Sequence, residues 1–392
     1  MPRAVVTHAL RTPIGRFLGG LKECTAVELG VAVVSALAKQ ARLAEGEAEQ
    51  LVFGNARQAG AGPNPARQIA VRAGLGHGCV AQTVNMACAS GLKSIALAAR
   101  DIENGETRVA IAGGTESMSR LPYLLPRARD GYRLGHAPLV DAMYQDGFHC
   151  PLADQLMGRT AENLAEKYGI TRGRQDAYAV TSQNRCESAR KEGAFDSEIV
   201  PVDVPGRRGP ILVDRDEHPR DGVTPEKVSK LPPVFKEGGT VHAGNSSGIT
   251  DGAAGLVLMA EEEARARGLE PLAVFEGAAA AGVDPRYMGI GPIPATARLT
   301  ERLGSSLDDF DLIELNEAFA AQVLACLDEW GIDEERVNVL GGSIALGHPI
   351  GATGARIVVT LLHAMKSRGA KRGLATLCVS GGMGMSASFR MP

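Results

Sequence analysis

Two stretches of this sequence, separated by most of its length, run through the same series of signals, and that repetition limits the folds open to the chain. In the first, Val84-Asn85-Met86-Ala87-Cys88-Ala89-Ser90-Gly91 leads into helical spacing of apolar residues at Leu92, Ile95, Ala96, Ala99 and Ile102, which Asn104-Gly105 stops. An apolar strand, Val109-Ala110-Ile111-Ala112, follows and is expected to close at Gly113-Gly114. In the second, Val337-Asn338-Val339 passes through a Gly-rich stretch to Ala352-Thr353-Gly354. A helix with Ile357, Val358, Leu361, Leu362 and Met365 then breaks at Gly369, and a strand from Leu374 to Val379 ends at Gly381-Gly382. Gly91 and Gly354 lie 263 positions apart, and the strand ends Leu51-Val52-Phe53-Gly54-Asn55 and Leu312-Ile313-Glu314-Leu315-Asn316 lie 261 apart. Two matching offsets point to an internal duplication.

Uniformly apolar strands alternating with amphipathic helices belong to βαβ units, whose sheets are covered on both faces. The expected fold class is α/β, with one half formed by residues 1–118 and 242–270 and the other by residues 271–392. Met1-Pro2-Arg3-Ala4-Val5-Val6 reads as the first strand. Between the halves, residues 119–241 turn to Pro, Gly, Arg and Asp, as in Arg127-Ala128-Arg129-Asp130-Gly131, broken by helical spacing from Gly158 to Glu192. An insert of this length in a compact fold is seldom idle, so a binding site, a subunit contact or both are expected of it.

The 392 residues carry a net charge of −3, with no dominant Lys/Arg block, which argues against nucleic acid or an anionic membrane as the main partner and favours a small molecule. No apolar run approaches the roughly 20 residues that span a bilayer. The opening residues lack the layout of a secretory or transit leader, so a cytoplasmic location is expected. The seven cysteines (24, 79, 88, 150, 186, 326 and 378) stand singly without CxxC pairing, which supports neither a zinc site nor a disulfide framework.

Four positions carry the chemistry. Cys88 falls between a strand end and a helix start, where free N–H groups and the helix dipole favour a thiolate, although a lone cysteine in an apolar stretch is more often structural. His348 sits in Gly347-His348-Pro349-Ile350-Gly351, where close backbone approach allows it to act as a base; a cap or core role is the plainer alternative. Cys378 ends a strand and precedes Val379-Ser380-Gly381-Gly382, a run able to aim several N–H groups at one point, as an oxyanion hole requires. Asn316 follows a strand and precedes Glu317-Ala318-Phe319, where a helix cap is an equal alternative. At equivalent strand ends of two duplicated halves, the four would converge where open α/β sheets place their sites.

These residues resemble the thiolase family over nearly the whole chain. The resemblance rests on NMACASGLKS around Cys88, AGNSSGITDGAA from Ala243, NEAFA from Asn316 with GGSIALGHPIGATGAR from Gly341, and CVSGGMG from Cys378. It implies a five-layered αβαβα thiolase fold with an inserted loop domain for coenzyme A and subunit contacts, a homotetramer or homodimer, and a place in fatty acid metabolism. It further implies that Cys88 is the acylated nucleophile, His348 the base that activates it, and Cys378 the second acid/base. Asn316 would hold a water that, with His348, stabilises the enolate oxygen, and the N–H groups of Cys88 and Ser380 would form a second oxyanion hole. Coenzyme A would be met by Met157, Arg220, Phe235, Ala243, Ser247, Met288, Ala318 and Phe319.

The implied substrates are acetyl-CoA, 3-oxoacyl-CoA and free CoA, with no cofactor and no metal. Three departures from the family pattern stand out: Ala89 after the nucleophile, Leu156 before Met157, and Ser380 where three consecutive glycines are common. Ser380 is therefore expected to take glycine-like backbone angles, with strain. The alternatives are a β-ketoacyl synthase-type condensing enzyme, disfavoured by Asn316 and Cys378, and a non-catalytic acyl-CoA or lipid-binding relative, disfavoured by the complete set of four. A nicotinamide dehydrogenase ranks last because the chain lacks the G-x-G-x-x-G fingerprint.

Overall fold

The computed structural model describes residues 2–207 and 209–392; Met1, at the head of the first half, and Arg208, in the insert, lie outside the described residues. The first half contributes strands β1 (Ala4–Arg11), β2 (Gln50–Gly54), β3 (Val80–Val84), β4 (Val109–Ser117) and β5 (Thr250–Ala260). Its helices are α1 (Ala26–Gln40), α2 (Pro65–Arg72) and α3 (Ser90–Glu103). The chain leaves the sheet after Ser117 and returns at Thr250, and this excursion carries α4 (Met157–Tyr168) and α5 (Arg172–Lys191). The second half follows with β6 (Ala273–Gly282), α6 (Pro292–Leu303), β7 (Leu312–Leu315), α7 (Ala320–Trp330), α8 (Ile350–Arg368), β8 (Arg372–Val379) and β9 (Met383–Arg390).

Strand order makes the duplication visible. The sheet path runs β3-β2-β4-β5-β1-β6-β9-β8-β7. Going inward from each end, the first pairings are parallel and the next two antiparallel, and the halves meet where β1 pairs β6 antiparallel through Val5↔Val274 and Val6↔Ala273. An approximate two-fold axis passes through that seam. The counterpart of β3 is reduced to one bridge between Ile313 and Val337.

Helices α3 and α8 form the middle layer. Fifteen residues of α8 are buried, including the run from Ile350 to Leu362, because both of its faces meet protein. The two helices cross at the glycines that the sequence offset pairs: a Cβ on Gly91 would stand 2.7 Å from the Ala355 nitrogen, and one on Gly354 would stand 2.4 Å from the Leu92 nitrogen. On the outside, α1 and α2 cover the first half, while α6 and α7, with α4 and α5 of the insert, cover the second. Five layers result, α on β on α on β on α.

Two expectations about this framework need correction. Gly113-Gly114 do not close a strand; β4 continues through them to Ser117. They are glycines because a Cβ would stand 2.2 Å from the Ala254 oxygen at Gly113 and 2.1 Å from the Gly351 oxygen at Gly114, so only bare backbone admits β5 and the start of α8. The helical spacing from Gly158 to Glu192 is two helices, split where Gly169 takes φ +63° and Thr171 caps the next one through Arg174 N–H.

Candidate active site

The turn before α3 is fixed by its own side chains. Ser90 Oγ accepts from Met86 N–H (2.9 Å) and donates to the Ala87 oxygen (2.6 Å), while Asn85 Oδ1 accepts from Ala87 N–H (3.0 Å). Ala87 is held at φ +45°, a conformation that an L-residue enters only when its surroundings demand it. Cys88 follows at once. The strain expected at Ser380 is absent: Gly381 and Gly382 carry the positive angles, φ +87° and +84°, and Ser380 lies outside the left-handed region. Gly382 has to be bare because a Cβ there would stand 2.3 Å from the Val283 oxygen.

A cavity of about 370 Å³ brings most of the expected residues together. Cys88, His348, Cys378 and Ser380 line it, as do Met157, Arg220, Phe235, Ala243, Ser247, Met288, Ala318 and Phe319. One apolar wall, around Cys378, contains Met157, Phe235, Met288, Ala318 and Phe319, with the Phe235 and Phe319 rings edge-on at 6.2 Å. The Phe235 ring lies against α4 because residue 158 is glycine; a Cβ there would stand 2.4 Å from the ring. A second apolar cluster, against which Cys88 packs, supplies Met118, Phe148, Ile249 and Ile350 to the lining. Arg220 reaches the cavity from an exposed position.

Burial pushes the Cys88 thiol up, while Arg57 and the N–H groups of Ser380 and Cys88 itself pull it down. Ser380 lines the cavity together with Cys88. Burial pushes the Cys378 thiol far up, and charge on Cys88 adds to the push, which places the two sulfurs within electrostatic reach of each other.

The protonation of His348 follows from its partner. Thr353 Oγ1 lies 2.6 Å from His348 Nδ1 and 3.0 Å from the Pro349 oxygen. A carbonyl oxygen can only accept, so the Thr353 proton goes to Pro349, and Nδ1–H of His348 donates to Thr353. The lone pair is thereby left on Nε2. Burial, with Arg356 and Arg57 nearby, pushes the imidazole down to about 3, so it is neutral at ordinary pH with its Nε2 lone pair unprotonated.

Asn316 is the one expected residue that does not line the cavity. It is buried at the end of β7, where its N–H donates to the Thr376 oxygen (2.9 Å), two residues before Cys378. Arg356 Nη2 donates to Ser343 Oγ (2.8 Å), so the hydroxyl proton of Ser343 points at Asn316 Oδ1 (2.6 Å). That orientation makes Nδ2 the free end, and Nδ2 is buried with no partner in the protein. A buried amide donor of this kind has hydrogen-bonding capacity left for a bound oxygen.

The sequence reading missed several lining residues, among them Arg57, Tyr144, Phe148 and His218. For Arg57 a signal existed: the 261-residue offset pairs Asn55-Ala56-Arg57 with Asn316-Glu317-Ala318, and Ala318 had been singled out. Tyr144 and Phe148 lie in irregular insert with no pattern to read.

The profile "Thiolase, N-terminal domain" matches residues 4–262, and "Thiolase, C-terminal domain" matches residues 269–391. The chain belongs to the thiolase family. Among thiolases, it is 51% identical over 387 residues to an acetyl-CoA acetyltransferase of Pseudomonas aeruginosa and 49% identical over 387 residues to one of Escherichia coli, with 98% of each chain covered in both cases. The crystal structure of the Bacillus anthracis acetyl-CoA acetyltransferase superposes with a TM-score of 0.98 at 44% identity, covering 100% of this chain and 99% of that one. No helix among the described residues is long and apolar enough to cross a membrane.

Proposed function

We propose that this thiolase transfers acyl groups between its own cysteine and coenzyme A, cleaving 3-oxoacyl-CoA with CoA or joining two acetyl-CoA in the reverse direction. The observation that carries the reading is the convergence of Cys88, His348, Cys378 and Ser380 on one cavity. His348 Nε2 takes the Cys88 proton, and the sulfur attacks the 3-oxo carbon of the substrate. The resulting oxyanion is stabilised by the N–H groups of Cys88 and Ser380. The C2–C3 bond then breaks, leaving the acyl group on Cys88 and an enolate whose oxygen is met from the side of His348 and Asn316. Cys378 delivers its proton to C2, and acetyl-CoA leaves. A CoA thiol, deprotonated by the Cys378 thiolate, attacks the Cys88 thioester and restores both sulfurs to their starting state. Each proton removed is returned within the cycle, so two thiols and one imidazole suffice.

In this reading Met157, Phe235, Met288, Ala318 and Phe319 cover the pantetheine arm, Ala243 and Ser247 flank it, and exposed Arg220 meets the phosphates at the rim. The enzyme works in the cytoplasm, in fatty acid metabolism, as a homodimer or homotetramer. Support for assembly comes from β3, an edge strand paired on one side only with Val80 exposed, and from Tyr123, Leu125, Leu134 and Leu139, exposed on the insert. The test is thiolysis of acetoacetyl-CoA by the wild type and by Cys378→Ala. Turnover in the wild type, and its loss in the variant with Cys88 still open to acetylation, is the expected result. Tight binding of acyl-CoA without turnover would favour a binding protein instead.

A further inference from the structure

Three arginines are buried among the described residues, and the side chain of one of them has no salt-bridge or hydrogen-bond partner. Arg11 is clamped by Glu198 (2.5 Å) and Asp216 (2.7 Å), and Arg356 by Glu314 (3.5 Å) and Ser343 (2.8 Å). Arg57 is 6% exposed, and its Nε is buried without a partner. Its backbone N–H, not its guanidinium, meets Glu116, at 3.2 Å. The Glu116 carboxylate is taken up by Asn55 Nδ2 (2.7 Å) and by the N–H groups of Ala56 (3.2 Å) and Gly351 (2.9 Å) as well. Cys88, His348 and Tyr144 line the cavity with Arg57, and none of them is hydrogen-bonded to its guanidinium. Buried Glu116 feels the Arg57 charge, yet no salt bridge or side-chain hydrogen bond joins them, so the donors of this buried cation are not taken up by the protein and remain open to a negative ligand.

Geometry says which kind. Gly147 covers one side of the guanidinium, where a Cβ would stand 2.6 Å from Nε and 3.1 Å from Cζ. Arg57 lines the cavity with Cys88, whose charge it stabilises, and with the apolar Met118, Phe148 and Ile350, which belong to a different packing cluster from the residues assigned to pantetheine. A planar fork of N–H donors behind an apolar passage matches a carboxylate at the end of a short methylene chain.

We propose that Arg57 forms a carboxylate-reading subsite at the acyl end of the cavity, so that the favoured substrates are short 3-oxoacyl thioesters ending in a carboxylate. This rests on the thiolase reading. The experiment compares kcat/KM for thiolysis of 3-oxohexanedioyl-CoA and 3-oxohexanoyl-CoA, equal in carbon count and different in the terminal group, with acetoacetyl-CoA as the reference. The wild type is expected to prefer the carboxylate by about tenfold or more, the scale of hydrogen bonds to a charged group. Arg57→Leu should abolish that ratio and Arg57→Lys should retain part of it.

A wild-type ratio at or below one overturns the subsite, and this arm needs no variant to fold. So does a ratio that survives Arg57→Leu while both rates fall together, which would make Arg57 a partner of the Cys88 thiolate only. Cleavage of acetoacetyl-CoA with neither six-carbon substrate also overturns it and leaves the thiolase reading standing. Cleavage of none of the three removes both.

Discussion

At the scale of single residues, the account depends on which atoms carry protons. Thr353 directs the His348 lone pair to Nε2 by accepting from Nδ1, so Thr353→Val should lower kcat by about ten- to a hundredfold, part of the roughly 10²–10⁴ that a positioned base contributes. Thr353→Ser, which keeps the hydroxyl, should restore most of it, whereas a purely structural role would make the two variants differ in stability and not in kcat. The imidazole is pushed down to about 3 by burial, so lowering the pH from 8 to 5 leaves it unprotonated. The pH profile of Cys88 acylation by acetyl-CoA should accordingly show no acid limb centred near the ordinary histidine value of about 6.5. A break there would mean that His348 is more hydrated in solution than in the structure.

At the scale of elements, the crossing of α3 and α8 admits no side chain. Gly354→Ala would place a methyl 2.4 Å from the Leu92 nitrogen, which is backbone and cannot swing aside. The variant should lose about 1–3 kcal/mol or more in denaturant unfolding, as overpacked cores do; unchanged stability would show that the helices can separate at little cost. The strands β4 and β8 show how the duplication diverged. Glu116 stands opposite Gly252 as Cys378 stands opposite Gly384, so the two occupy equivalent places. In one half a carboxylate ties down loops through N–H donors, and in the other a thiol lines the cavity.

Much of this was legible in the sequence, because glycine offsets and apolar periodicity are local records of strand and helix ends. The extent of β4 was not, since Gly113-Gly114 looks like a turn until the strand and helix that press on it are known. Ala87 was missed as the strained residue for a related reason: alanine carries no turn signature, and its left-handed angle is imposed by Asn85 and Ser90.

At the scale of the molecule, residues from distant parts of one polypeptide meet because the two halves are folded around a common middle layer. Asn316 was expected in the site and lies behind the cavity wall, and the orientation of its amide depends on a relay from Arg356 through Ser343 that no spacing announces. Assembly is a separate prediction, with light scattering after size exclusion expected to give two or four times the mass of one chain. A monomer would mean that the edge strand β3 and the apolar insert residues are left uncovered.

The central claim is that Cys88 carries the acyl group between two molecules of coenzyme A. It is tested most directly by mass spectrometry of the protein quenched after brief mixing with acetyl-CoA. One acetyl group is expected, on the peptide containing Cys88, absent from Cys88→Ser and discharged when free CoA is added. Acetylation at another cysteine, or turnover that survives the serine substitution, would contradict the account.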